Sequence, residues 1–393
     1  MSALWLLCVA SLLWLGVLLH LLRGLRHMAW LSPEGAESAQ MGALPSISVI
    51  CVVKDEERLV GATVANLLAV GSPLDEVVVV DDRSTDRTPQ ILAELARNHP
   101  RLRVVRVDVL PEDWQGRVHA LSVGAKHITG EFLLTVDAEV AIDPAVLAEV
   151  AALLRDRKLD HLAVLPQLHR KAFLLDVLLT TALVFYVGSQ RPWMSIETRP
   201  VRSVRGVGAF NLVRRSFLET TPGFEALRME IIDDVGLAQL IAHHGGRSQL
   251  VYANVRGPTF HWYRTVREMT LRLEKTIVGA FANYSLLLAI WITALSCSCV
   301  LLPLIALLFL PHPLALAALA SFVTATLAWS LAASKLLPRR PLVLAFLPLG
   351  IALMGTILLR AALLCHVRGG ILWKDTLYPV AALRKHRRTA FHV

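Results

Sequence analysis

The nine residues Glu131-Phe132-Leu133-Leu134-Thr135-Val136-Asp137-Ala138-Glu139 constrain the fold more than any other stretch. Phe132 to Val136 are all apolar or β-branched, as a strand buried in a parallel sheet requires, and the chain turns acidic only where that strand should end. Open α/β sheets bind ligands at the carboxyl ends of their strands, and an Asp-x-Glu pair there offers the oxygen ligands that hard divalent cations take. Taken alone, a solvated acidic turn explains the pair equally well.

The surroundings repeat the pattern. Ile47–Val53, residues 76–80, Leu102–Val107 and residues 162–166 read as further strands. Residues 60–70 and 117–129 read as helices, and two more start at Thr88-Pro89, with Thr88 as cap, and at Asp143-Pro144. Such alternation predicts an α/β fold with a mostly parallel sheet and helices on both faces.

The 393 residues are 55% hydrophobic, with a mean hydropathy of +0.54, which is high for a soluble protein and points to membrane spans. Residues 3–22 form an uncharged run followed by Arg23, Arg26 and His27, which reads as a retained anchor with its carboxyl end in the cytoplasm. Residues 32–40 read as a linker, and residues 173–187 as an apolar helix that is short for a span and either lies against a membrane, lines an acceptor cleft or sits in the core.

Three more apolar runs come next, at 286–310, 314–333 and 342–359. The formal net charge of +9 comes with no nucleic-acid-binding signature, and much of the basic excess flanks the apolar segments. From a cytoplasmic domain, three crossings leave the tail outside, although that tail carries Arg384, Lys385, Arg387 and Arg388. The positive-inside rule is therefore broken somewhere, unless a last segment bent near Pro348 and Gly350 is re-entrant. The expected division is an anchor at 1–24, a linker at 25–44, a catalytic domain at 45–276, membrane segments at 277–366 and a basic tail at 367–393. Five cysteines, most of them in or beside apolar runs, make neither a disulfide framework nor a zinc site.

Two further acidic clusters accompany Asp137 and Glu139. Asp81-Asp82 follows four valines and emerges at another strand end, where an Asp can accept hydrogen bonds from a base or ribose; an Asp-rich turn is the plainer explanation. Asp233-Asp234 opens a helix, where the charges complement the dipole. Adjacent carboxylates also repel, which raises a pKa and makes one of them a candidate general base.

In this order and spacing, Asp81-Asp82-x-Ser-x-Asp86, Asp137-Ala138-Glu139 and Asp233-Asp234-x-x-Leu237 resemble the acidic motifs of family 2 glycosyltransferases of GT-A fold, over about residues 46–276. Residues 110–117, Leu-Pro-Glu-Asp-Trp-Gln-Gly-Arg, resemble a segment of the membrane-bound hopanoid- and carotenoid-type members, with Arg117 in place of the usual Lys. The resemblance implies a GT-A domain with N- and C-terminal transmembrane helices. It implies Asp81, Asp82, Arg117 and Asp137 on the donor, with Asp82 at the nucleotide's base. Asp137 and Glu139 would hold Mg²⁺ or Mn²⁺, with His261 as a possible third ligand. Asp234, beside Asp233, would deprotonate the acceptor. Gly206, Gly208 and Asn211 would form an acceptor-side loop, and Arg272 with Lys275 a basic motif.

Two departures stand out. Glu139 replaces the commoner Asp, and no Trp stands at Thr276 where processive synthases carry one. The expected activity is inverting, metal-dependent transfer of a sugar, from a UDP-sugar first, to a lipid or lipid-linked acceptor at the cytoplasmic face of the cell membrane. A processive polysaccharide synthase and a catalytically silent nucleotide-sugar-binding scaffold are the alternatives.

Overall fold

The computed structural model describes residues 18–31, 42–166, 171–191, 193–194, 201–253, 259–260, 263–309, 311–337 and 341–389, with positions 12, 15 and 16. Its strands are β1 (Ala29–Trp30), β2 (Ile47–Val53), β3 (Leu74–Asp82), β4 (Leu102–Val107), β5 (Phe132–Asp137), β6 (Val140–Ala141), β7 (His161–Leu165), β8 (Asn211–Arg214), β9 (Ser248–Tyr252), β10 (Thr259–Phe260), β11 (Gly370–Trp373) and β12 (Thr376–Pro379). Eight of them form the main sheet in the order β1-β9-β7-β8-β5-β2-β3-β4. All its pairings are parallel except those of β8, which runs antiparallel between β5 and β7.

The valine run explains why this sheet is covered twice. Side chains alternate along a strand, so Val77 and Val79 enter one hydrophobic layer while Val78 and Val80 enter the other. The first layer is shared with the helix Val60–Ala69, the second with Gly116–Gly124. All four valines are fully buried, as a strand between two helical layers demands.

Several local expectations shift. Thr88 is not a cap: Thr88 N, at the start of the helix Thr88–Asn98, donates to Asp86 Oδ1 (2.9 Å), and the Thr88 hydroxyl accepts from Glu56 N. The helix expected at 117–129 ends at Gly124 and gives way to a 3₁₀ turn over Ala125–His127. Asp143 does cap its helix, accepting from Ala145 N at 2.8 Å. Strands β8 and β9 were unforeseen, and so was β1, which pairs with β9 from within the segment read as linker.

Among the described residues, three helices are long and apolar enough to cross a membrane: Phe173–Gln190, Leu314–Leu336 and Leu347–Arg368. A fourth apolar helix spans Leu286–Phe309. Most of Phe173–Gln190 is buried inside the protein, so it is a shared wall more than a lipid-facing rod. Small residues set how these helices meet. At Gly350 an added Cβ would lie 2.1 Å from Thr181 Oγ1, and Thr293 Oγ1 donates to the Gly355 carbonyl at 2.7 Å. Pro348 lies in the first turn of Leu347–Arg368, where it needs no partner for a missing N–H, so the helix runs unbroken past Gly350. Beyond it, the segment read as a basic tail folds into the antiparallel hairpin β11–β12 and the helix Val380–His386.

Candidate active site

The acids gather at the carboxyl end of the sheet. Asp137 ends β5, and Asp233 and Asp234 open the helix Asp233–His243 opposite it. Arg117, in the first turn of Gly116–Gly124, bridges them. Its Nη2 lies 2.9 Å from Asp137 Oδ1 and its Nε 3.1 Å from Asp233 Oδ2. Burial works against the Arg117 charge, but the two carboxylates more than offset it and hold the guanidinium above its usual range.

Asp234 is placed by the loop before β8. Gly208 N donates to Asp234 Oδ2 at 2.7 Å, and Val235 N donates to Oδ1 at 2.8 Å. An added Cβ on Gly206 would stand 1.9 Å from the Asp234 carbonyl oxygen, so only glycine lets the loop pass. At Gly208 it would lie 3.4 Å from Asp137 Oδ2 and 3.6 Å from Asp234 Oδ2, which puts the loop between the two acids. Burial, reinforced by Asp233 and Asp137, pushes the Asp234 carboxyl up to about 6, against the pull of its backbone N–H partners.

Asn211 is not in the loop face. It sits buried on β8, where its Oδ1 meets His161 Nε2 at 2.6 Å and its Nδ2 donates to the Asp234 carbonyl at 3.4 Å. His161 Nδ1 meets Ser248 Oγ at 2.6 Å, and burial depresses the ring's pKa to about 4, so the imidazole is neutral. With Asn211 Oδ1 accepting, Nε2 carries the proton.

The other expected residues divide. Asp82 lines the cavity, and both its oxygens are held by the Arg83 fork, at 2.7 and 3.0 Å. Asp81 does not reach it; one oxygen accepts from Ser84 N (3.1 Å) and the other from Arg106 (3.1 Å), so it braces the strand end. Glu139 is paired with Arg272, which also bonds Glu268 at 3.1 Å. Burial pushes the Glu139 carboxyl up while Arg272 pulls it down. Lys275 places its ammonium over the Trp373 ring, 5.2 Å from the centroid, and burial depresses its pKa. His261 and its neighbour Trp262 lie outside the described residues.

Among the described residues no group of three or more His, Cys, Asp or Glu stands together as a metal cage. Asp137 and Glu139 nevertheless offer what a magnesium-type cation takes from protein when substrate phosphates and water complete its shell: one or two carboxylates.

Asp82, Arg117, Asp137, Glu139, Asp233, Asp234, Arg272 and Lys275 open on one cavity of about 660 Å³. Its polar end holds Asp82, Arg117, Asp137, Asp234 and Lys275. Its other walls are apolar and come from three helices: Leu179, Leu183 and Phe185 of Phe173–Gln190, Ile292 of Leu286–Phe309, and Met354 and Leu358 of Leu347–Arg368. The hairpin β11–β12 closes the polar end with Trp373, Lys374 and Tyr378. The hairpin was invisible in the sequence. Its residues are few and mixed in polarity, and they meet the site across about 260 positions of chain, as in the bond from Gly116 N to the Tyr378 hydroxyl (3.2 Å).

Residues 48–219 match the family model described as glycosyl transferase family 2. The beta-monoglucosyldiacylglycerol synthase of Nostoc sp. is 28% identical over 216 residues, which cover 52% of this chain and 43% of that protein. The poly-beta-1,6-N-acetyl-D-glucosamine synthase of Staphylococcus epidermidis is 25% identical over 174 residues, covering 44% of this chain and 40% of its own. Both alignments span less than half of the relative's length. Among solved structures, the mannosyltransferase PcManGT of Pyrobaculum calidifontis aligns with 93% of this chain and 98% of its own, at 20% identity and a TM-score of 0.48. The matched span, residues 48–219, contains the strand ends that carry Asp82 and Asp137, and it is this part of the chain that is similar to glycosyl transferase family 2.

Proposed function

We propose that the chain transfers one sugar from a nucleotide-sugar donor, a UDP-sugar first, to the hydroxyl of a lipid or lipid-linked acceptor at the cytoplasmic face of a membrane, with inversion. One observation carries the reading: a single cavity joins the acid cluster to walls made by apolar, membrane-length helices. A polar acceptor gains nothing from Leu179, Phe185, Met354 and Leu358, whereas an acyl or isoprenoid chain is desolvated by them. The Nostoc relative, by its name a synthase of monoglucosyldiacylglycerol, is in keeping with a lipid acceptor.

The residues take roles that their surroundings support. Asp234 is the base. With a carboxyl pushed up to about 6, it is ionised at neutral pH yet holds a proton better than an exposed aspartate. The Gly208 N–H fixes one oxygen, leaving the carboxylate oriented to take the proton of an acceptor hydroxyl as that oxygen attacks the anomeric carbon. Displacement of the nucleoside diphosphate from the opposite side inverts that carbon. Arg117 offsets Asp233 and Asp137, so that the proton-accepting role falls to Asp234 alone. Asp82 and Arg83 face the nucleoside, while Arg117 and Lys275 supply positive charge for the diphosphate. Asp137, joined by Glu139 once Arg272 releases it, would hold Mg²⁺ or Mn²⁺, which neutralises charge on a leaving diphosphate.

In this reading residues 45–276 are the catalytic unit, while 1–24 and 277–366 hold it to the membrane. The Staphylococcus epidermidis relative favours a second reading, processive polymerisation. Both are tested by incubating the full chain in detergent with UDP-, GDP- and dTDP-sugars, Mg²⁺ or Mn²⁺ and a lipid extract. One sugar per acceptor, lost in Asp234→Asn, supports the transferase; a ladder of longer products supports the synthase; intact donor binding without turnover overturns both.

A further inference from the structure

The hairpin β11–β12 comes after the last apolar helix, yet it returns to the sheet's catalytic edge. Its turn, Lys374-Asp375, has positive φ at both positions (46° and 63°), the geometry that closes two-residue hairpins. Lys374 Nζ then donates to the Lys54 carbonyl at 2.6 Å and to Glu56 Oε1 at 3.1 Å, and Lys54 Nζ donates in return to the Lys374 carbonyl at 2.7 Å. On the second strand Tyr378 is buried, with its hydroxyl on Gly116 N beside the Asp82–Arg83 pair. Just before the turn, Trp373 carries Lys275 on its ring.

Two consequences meet here. Trp373, Lys374 and Tyr378 line the cavity on the side facing Asp82 and Arg117, where a nucleoside diphosphate needs walls and cations. A segment docked this way also lies on the same side of the membrane as the sheet. The docking continues past the hairpin, since Glu230 accepts from the backbone N–H groups of Arg388 and Thr389, both at 2.9 Å. Glu274, just after the helix Val266–Leu273, binds Arg360 at 2.8 Å and Arg368 at 2.5 Å.

We propose that the C-terminal hairpin is the outer wall of the donor site, with Lys374 facing the diphosphate and Tyr378 closing over the nucleoside end. It follows that the long apolar helices between Leu286 and Arg368 cross the bilayer an even number of times. The proposal rests on the donor reading of the cavity and adds a segment that lies outside residues 45–276. It also puts Arg384, Lys385, Arg387 and Arg388 beside the catalytic unit, which removes the conflict with the positive-inside rule.

The experiment has two arms on the full chain. In the first, binding of UDP, GDP and dTDP with Mg²⁺ is measured in detergent for the parent, Asp82→Asn, Lys374→Ala, Lys374→Arg and Tyr378→Phe. Lys374→Ala is expected to weaken diphosphate binding about tenfold, the usual effect of losing a charged hydrogen-bond partner, with recovery in Lys374→Arg. Loss in Asp82→Asn with unchanged affinity in both Lys374→Ala and Tyr378→Phe overturns the hairpin's role while leaving the donor reading intact. A parent that binds none of the three overturns both.

In the second arm, Asp375→Cys at the hairpin turn and Val109→Cys on the catalytic unit are labelled with a membrane-impermeant maleimide in sealed vesicles of one orientation, against the parent as background. Both positions are exposed. Labelling of both from the same side supports the proposal, and labelling from opposite sides overturns it whatever the binding arm shows.

Discussion

Among single residues, Asp234 carries the proposed chemistry. Asp234→Asn keeps the shape and the Gly208 N–H partner but cannot take a proton, so turnover should fall about 10²- to 10⁴-fold while donor affinity stays nearly unchanged. Steady-state rates beside equilibrium binding check this. The pH dependence comes from the same carboxyl. A base with a pKa of about 6 is lost by protonation, so the rate should drop with unit slope as pH falls through about 6. The sign for stability is opposite. A carboxyl raised on folding costs the folded state when ionised, and that cost is relieved as pH falls through about 6 toward its ordinary value. Asp234→Asn should therefore be more stable than the parent at pH 8, by roughly 1–3 kcal/mol, with a gain that shrinks toward pH 4. Thermal unfolding at both pH values reads it out.

The residues behind Asp234 show what sequence reading reaches and what it misses. Asp137 and Asp82 were legible because a buried strand needs a continuous apolar run, and a carboxylate that interrupts such a run marks the strand's end. Asp233 and Asp234 were legible only through their spacing from the others. Asn211 was assigned with Gly206 and Gly208 to an acceptor-side loop, whereas it is the first residue of a four-residue strand and meets His161 in the core. A strand that short carries no period to read. Asp81 was taken with Asp82 as a pair, yet alternation along β3 sends them to different partners, Arg106 and Arg83.

Among elements, the contact between Phe173–Gln190 and Leu347–Arg368 decides how the apolar wall is built. Thr181 and Val177 press against Gly350, and an added Cβ there has no room. Gly350→Val should overpack this contact at a cost of about 1–3 kcal/mol. The expected result is a lower unfolding temperature in detergent and impaired transfer to lipid, with binding of the nucleoside diphosphate retained; lost nucleotide binding would mean that the two halves of the cavity are not separable. The apolar runs themselves were plain in the sequence. Their pairing was not, because between apolar helices the register is set by single small residues and hydroxyls such as Thr293 on the Gly355 carbonyl.

For the whole molecule, the sheet and the helical bundle are one unit with a shared cavity. The sequence division into a catalytic domain, spans and a loose basic tail described the order along the chain and missed the return of the last segment. Glu274 held by Arg360 and Arg368, and Glu230 held by the backbone at Arg388 and Thr389, tie the catalytic unit to the last apolar helix and to the C-terminal segment beyond it. Each tie spans more than eighty residues, beyond the reach of any local pattern.

The central claim is that a sugar leaves the acid end of this cavity on a lipid held at its apolar end. It is tested most directly by mass spectrometry of the lipid phase, after the full chain has been incubated with nucleotide sugars, Mg²⁺ or Mn²⁺ and membrane lipid. The expected product is a lipid heavier by a single sugar residue, absent from the Asp234→Asn reaction. Nucleotide release with every lipid mass unchanged, or with the sugar found only on water-soluble acceptors, would contradict it.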